Sequence, residues 1–142
     1  MTAHIRKAKA SDAEVLLDIE DRSFTAPNWK RADFFKYDCI VAESNGRIAG
    51  FLVSRQVFAG DAANPAQREI LNLAVAPEFR RMGIATALIS KVLSRGAELF
   101  LEVRESNVAA QRLYRKLGFL EVARRPKYYH HPDETAIVMN MK

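Results

Sequence analysis

A chain of 142 residues, 49% hydrophobic and 27% charged with scattered Gly and Pro, can bury a core of its own and is neither collagenous, disordered nor low in complexity. Its formal net charge of +5 asks for an anionic partner. The basic residues come only in short groups (Arg80-Arg81, Arg112/Arg115/Lys116, Arg124-Arg125/Lys127) without the interleaved aromatics of a nucleic-acid platform, so cofactor phosphates and solubility account for the charge.

The one cysteine, Cys39, excludes an internal disulfide, and its run Cys39-Ile40-Val41-Ala42 reads as buried strand, with the thiol serving as a small hydrophobe. A reducing, cytoplasmic compartment is expected. No apolar stretch approaches a membrane span, and no apolar segment follows the charges of Met1–Lys7 as it would in a signal peptide.

In chain order, Ile5–Ala8 predicts a short strand. Ser11 and Glu14 have the spacing of a capping box, with Val15, Leu16 and Ile19 behind them, so a helix is expected from Ser11 to about Phe24. Thr25–Asn28 breaks it, and Trp29–Tyr37 predicts a second short helix that buries Phe34 and Phe35. Cys39–Phe58 predicts a hairpin about the turn Asn45-Gly46. A polar loop over 59–65 leads into Glu69–Val75, whose near-continuous apolarity predicts a central, buried strand. Ile84, Ala85, Leu88, Ile89, Val92 and Leu93 follow Gly83 at helical spacing, and Arg95-Gly96 ends that helix. Leu99–Val103 is the next strand. Ser106 or Asn107 caps a helix closed by Gly118, and two strands near Phe119–Ala123 and Thr135–Met141 flank an aromatic loop. The order β-α-α-β-β-β-α-β-α-β-β, with no repeat or linker, predicts a single mixed-sheet domain over residues 1–142.

Two segments carry chemistry. In Val75-Ala76-Pro77-Glu78-Phe79-Arg80-Arg81-Met82-Gly83-Ile84-Ala85 a buried strand turns through a basic loop into a helix. The free N–H groups at that helix start and its dipole suit a phosphate, and Gly83 and Ala85 leave the backbone approachable. An ordinary strand-to-helix turn would look the same, and the P-loop and dinucleotide glycine patterns are absent. The second segment, Leu101 to Phe119, holds Glu102-Val103-Arg104-Glu105-Ser106-Asn107 and then Ala110, Tyr114 and Gly118-Phe119. Glu102 could serve as a base, face solvent or pair with an arginine; Tyr114 could donate a proton or pack.

Together, Arg-x-x-Gly-x-Ala and Asn-x-x-Ala-x-x-x-Tyr-x-x-x-Gly-Phe closely resemble the GNAT acetyltransferase superfamily over nearly the whole chain. Leu-Glu-Val-Arg-Glu-Ser-Asn, with Arg124 to Met139, is most similar to its RimI-type ribosomal-protein-alanine N-acetyltransferases. The resemblance implies an α/β (α+β) fold, a mixed, mostly antiparallel seven-stranded sheet flanked by four helices. It also implies acetyl-CoA as co-substrate, no metal, and the N-terminal peptide of a small-subunit ribosomal protein as acceptor, with no membrane and no direct nucleic-acid partner. Leu73, Ala74 and Val75 would pair with the pantetheine arm. Arg80, Arg81, Met82, Gly83, Ile84, Ala85 and Thr86 would hold the pyrophosphate, and Asn107 would bond the arm. Glu102 matches the general base and Tyr114 the general acid. Pro27, Trp29, Asn72, Tyr128 and Tyr129 would meet the acceptor, core packing being the alternative for Trp29.

The chain departs from the RimI pattern where Asn28 separates Pro27 from Trp29, in the acceptor loop, and in a short stretch between Thr86 and Glu102. His130-His131 lack a third ligand for a metal. The competing readings are a GNAT enzyme for lysine or a small-molecule amine, and a non-catalytic acyl-CoA-binding or ribosome-associated module.

Overall fold

The computed structural model of the protein describes residues 3–23, 29–130 and 132–142. Seven strands, β1 (His4–Lys7), β2 (Asp38–Ser44), β3 (Arg47–Phe58), β4 (Ala66–Val75), β5 (Ala97–Arg104), β6 (Leu120–Tyr129) and β7 (Glu134–Met141), bond in the order β1-β2-β3-β4-β5-β7-β6. The β4–β5 pair is parallel, while β1–β2, β2–β3, β5–β7 and β6–β7 are antiparallel, giving the mixed sheet expected. Three α-helices are described, α1 (Ala13–Ser23), α2 (Ile84–Leu93) and α3 (Val108–Leu117), rather than four. None of the described helices is long and apolar enough to cross a membrane. The chain forms two compact units, Met1–Arg55 with Ile70–Arg95, and Gln56–Glu69 with Gly96–Lys142.

In the first unit, the predicted second helix is a short 3₁₀ helix, Arg31–Phe35. Asp33 closes it by accepting the Lys30 N–H at 2.7 Å. Only Phe34 is buried there, and one buried residue provides no apolar stripe to offset the cost of nucleating a longer helix. The start of α1 also differs from expectation. Lys9, not Ser11, is the N-cap, of a 3₁₀ turn Ala10–Asp12 that leads into α1, and Asp12 reaches back to it: the carboxylate accepts the Lys9 N–H at 2.7 Å and a fork from Arg6 at 2.8 and 3.0 Å. That pairing, with Glu43 on the same guanidinium, ties β1, β2 and the α1 entry together, and it holds the Asp12 carboxyl below its ordinary range.

The hairpin forms as the sequence predicts. Asn45 and Gly46 both take positive φ (53° and 76°), the twist that a two-residue antiparallel turn demands. Phe34 and Phe51 meet edge to face at 5.2 Å in a core completed by Leu16, Ile19, Leu52 and Leu88, all fully buried. Cys39 is buried in β2, and burial pushes its thiol up to about 12, so it behaves as the small hydrophobe expected.

In the second unit, β5 alternates buried and half-buried residues along its length. Leu99, Leu101 and Val103 fill one face, with Ile137 and Met139 of β7. α3 is pinned to the end of β5 by Gln111, whose side-chain amide donates to the Arg104 and Glu105 carbonyls at 3.2 and 2.7 Å. The stretch expected as an aromatic loop is strand instead. β6 runs on to Tyr129, which pairs with Glu134, after an irregularity between Arg125 and Tyr129 where Lys127 takes φ 55°.

Candidate functional site

The candidate residues fall in both units. In the first, β4 brings Asn72, Leu73, Ala74 and Val75 to the point where its chain turns. The parallel register of β4 with β5 runs from Ala66 to Glu69, so Leu73–Val75 lie beyond that paired stretch. Past the 3₁₀ turn Pro77–Phe79, the chain passes Arg80, Arg81 and Met82 into α2. Arg81 and Gly83 both take positive φ (65° and 75°), and residues 80–83 are exposed. The first intrahelical donor of α2 is the Ala87 N–H, bonded to the Gly83 carbonyl at 3.0 Å. The amides of Ile84, Ala85 and Thr86 therefore lack helical acceptors and form the dipole-positive end of a ten-residue helix. Two left-handed residues just before such an end shape a concave set of N–H groups suited to phosphate. Arg80 is turned back: its Nε donates to the Val75 carbonyl at 3.2 Å, bracing the loop.

Glu78 in that turn is a hub, paired with Arg22 of α1 at 2.8 Å and Arg47 of β3 at 3.2 Å. The two guanidiniums, Arg22 first, pull its carboxyl down to about 2.

Asn72, expected to meet the acceptor, is buried, and its side-chain amide donates to Oε1 of Glu20 on α1 at 3.4 Å. Glu20 is only 3% exposed, and its Oε2 has no hydrogen-bond partner. Desolvation raises its pKa above the ordinary 4.5, with Asn72 opposing. Because the folded value is the higher one, the favourable neutral form is fully present below about 4.5, and stability falls as pH rises beyond it. Glu20→Gln keeps the accepting oxygen and removes the buried charge. The variant is expected to be more stable than the parent at pH 7 by about 1 kcal/mol, and the gain to vanish in thermal melts at pH 4. An equal gain at both pH values would refute the assignment of a buried charge.

Trp29 is half-buried against Phe34, ring centroids 5.2 Å apart, the packing role that the sequence leaves open for it. Pro27 lies outside the described residues.

In the second unit, Asn107 caps α3 as expected, its Oδ1 accepting the Ala110 N–H at 3.1 Å. Tyr114 is half-buried on α3, its ring edge-on to the fully buried Phe119 at 5.9 Å. Burial raises its phenol, which therefore stays protonated at neutral pH. Glu102 leaves only 8% of its side chain exposed, and Arg125 of β6 engages its Oε1 at 3.2 Å. Tyr128 stands close enough to Glu102 for the carboxylate to raise its phenol. Tyr128 and Tyr129 meet edge to face at 5.1 Å, and the Arg104 guanidinium lies over Tyr129 at 4.3 Å.

Two of these groups, Glu20 and Arg125, escape a reading of the chain, and Tyr128 is expected there only at the acceptor. Glu20 had a signal: Ala13, Leu16 and Glu20 follow the buried spacing of α1, so a carboxylate stands in an apolar stripe. Arg125 and Tyr128 had none as partners of Glu102, because strand register alone brings them to it. His130 sits 3.4 Å from Asp133, and among the described residues no three His, Cys, Asp or Glu groups gather to hold a metal.

Residues 11–119 match the Acetyltransferase (GNAT) family, a stretch that runs through both units. The chain is 34% identical to the [ribosomal protein bS18]-alanine N-acetyltransferase of Escherichia coli, over 95% of this chain and 94% of that one. It is 33% identical to the enzyme of the same name from Haemophilus influenzae, over 95% of each. Its fold superposes on the crystal structure of the ribosomal-protein-S18-alanine N-acetyltransferase from Escherichia coli with a TM-score of 0.76 at 30% identity, covering 99% and 93% of the two chains. Ard1 from Thermoplasma volcanium superposes at 0.80 with 29% identity, covering 99% and 97%. With the family match over most of its length and relatives at this identity over nearly all of it, the chain belongs to the GNAT acetyltransferase family.

Proposed function

We propose that the protein transfers acetyl from acetyl-CoA to the N-terminal α-amine of a protein, with the N-terminal alanine of a small-subunit ribosomal protein as acceptor, in the cytoplasm. Residues 1–142 act as one acetyltransferase domain. The observation that carries the reading is the 34% identity, along almost the full length of both chains, to an enzyme named for that acceptor.

The residues suit the donor. The open amides of Ile84, Ala85 and Thr86, with Arg81, Met82 and Gly83 ahead of them, fit a pyrophosphate, and Arg80 holds that loop to Val75. Leu73–Val75 offer main-chain groups to the pantetheine amides, and Asn107 meets the same arm. Bound acetyl-CoA supplies a thioester carbonyl open to attack by a neutral amine. An α-ammonium titrates near pH 8, so most acceptor ends arrive protonated at neutral pH. Glu102 takes up that proton, through water, and the neutral amine attacks. The C–N bond forms as the C–S bond breaks. Tyr114, still carrying its proton, delivers it to the departing thiolate, and the second proton that the nitrogen sheds passes through water to the Tyr114 phenolate so left. Tyr128 and Tyr129 border the acceptor, whereas Asn72 is committed to Glu20.

The test is release of free CoA thiol with three acceptors: an Ala-initiated ribosomal-type peptide, the same peptide blocked at its N-terminus with an internal lysine, and a polyamine. Turnover with the free alanine end alone is expected. Turnover confined to the other two acceptors would keep the acetyltransferase and overturn the acceptor. Acetyl-CoA binding without turnover on any of them would favour a binding module.

A further inference from the structure

The base assigned above is not a free carboxylate, and the sheet register explains why. Glu102 pairs with Val138 and Arg104 with Ala136 across β5–β7, while Arg125 pairs with Ala136 across β6–β7. Directly opposed residues share a face, and so do residues two apart on a strand, so Arg125, Ala136, Arg104 and Glu102 all lie on one face. Arg125 and Glu102 are separated by the whole width of β7, about 10 Å for two strand spacings. Ala136, fully buried and ending at Cβ, leaves the path over β7 open. A long side chain crosses it, and Arg125 does, reaching Glu102 Oε1 at 3.2 Å while 56% of its own side chain stays exposed.

The irregularity after Arg125 brings a second neighbour. Between the pairs Arg125↔Ala136 and Tyr129↔Glu134, β6 has three residues where β7 has one. That excess re-aims the strand, and Tyr128 comes beside Glu102 with Arg125 over its ring at 5.6 Å. The other charged or titratable groups near this face are Arg104, Glu134, Tyr129 and the buried Glu69 of β4, which pairs with Phe100. Arg104 pairs with Glu134 at 3.1 Å and covers the Tyr129 ring. A nearly buried carboxylate without a counter-charge is costly, and a rotamer-rich glutamate without fixed partners has no single direction.

We infer that Arg125 is a positioning residue for Glu102: its guanidinium reaches across β7 to supply the counter-charge and, with Tyr128, fixes the carboxylate in the orientation from which it accepts the acceptor's proton. This role rests on Glu102 being the base. Arg125 meets Oε1 of that carboxylate through one guanidinium nitrogen, as an ion pair.

The test is a double-mutant cycle in the full chain, read as kcat and KM for the Ala-initiated peptide and as acetyl-CoA Kd. Arg125→Gln is expected to lower kcat about tenfold, the size of coupling between groups in contact, with acetyl-CoA Kd and peptide KM unchanged. Arg125→Lys, which restores the charge, recovers part of the loss. In a Glu102→Gln background the same Arg125→Gln change is expected to cost less than about twofold, since the group it orients is gone. An equal loss in both backgrounds, or a loss confined to peptide KM, overturns the positioning role while leaving Glu102 as base. Full turnover by Glu102→Gln alone removes the base assignment, and the role of Arg125 with it.

Discussion

Tyr114→Phe is expected to lower kcat roughly a hundredfold, the scale of a lost general acid, while acetyl-CoA binds as before. The two effects separate because the substitution removes only the hydroxyl. The ring keeps its edge-to-face contact with Phe119, and α3 keeps both its Asn107 cap and its Gln111 tether to β5. The melting temperature is therefore expected to stay put. The direction of the phenol's shift also predicts the pH profile. Burial raises it above 10.0, so the proton is retained throughout the neutral range, and any loss of rate due to its ionisation appears only at higher pH. Thiol release with the Ala-initiated peptide, beside calorimetric titration with acetyl-CoA, measures both quantities. A phenylalanine variant with parental kcat would move the acid elsewhere, and one that no longer binds acetyl-CoA would make Tyr114 a cofactor contact.

Gly50→Val is the second large effect, and it falls on folding and binding together. A Cβ at Gly50 would stand 2.8 Å from the Ala74 carbonyl oxygen, 3.3 Å from the Val75 Cα and 3.2 Å from Ile84 Cγ2. The first two are main-chain atoms and cannot rotate away, so β3 and the end of β4 must part. The Ala76 N–H bond to the Ala49 carbonyl, 2.8 Å, lies on the same seam. Overpacking of this kind costs up to about 3 kcal/mol, read as a lower midpoint in urea with unchanged slope. What is displaced is the end of β4 and the first residue of α2, the elements assigned to the pantetheine and pyrophosphate. Acetyl-CoA affinity is accordingly expected to fall more than stability alone explains, at a temperature where the variant is still folded. Parental stability in Gly50→Val would mean that β3 and β4 approach less closely than the structure has them.

Much of the fold was legible along the chain because it is encoded over a few residues at a time. Asn45-Gly46 dictates its turn through two positive φ angles, Gly83 opens α2, and Asn107 and Gly118 bracket α3. Where expectation and structure part, a longer-range term decided. Ser11 has the spacing of a cap, but Lys9 takes that place because Asp12, held by Arg6, reaches back to its N–H. Trp29–Tyr37 has helical propensity but only Phe34 to bury, and it forms no more than the 3₁₀ helix Arg31–Phe35. Tyr128 and Tyr129 look like loop aromatics, yet pairing with β7 carries β6 through them.

The same division runs through the candidate site. The residue types with the chemistry to move a proton, Glu102 and Tyr114, and the glycine loop that suits a phosphate could be named from order and spacing, since each depends on its own element. Their surroundings could not. That Glu102 is held by Arg125 beside Tyr128, that Asn72 is spent on Glu20, and that Gly50 must lack a side chain beneath Ala74 follow from which strand lies beside which and in what register. Sequence separation holds no record of that register. It is set by the collective burial of two faces of the sheet, and only the folded chain brings those groups together.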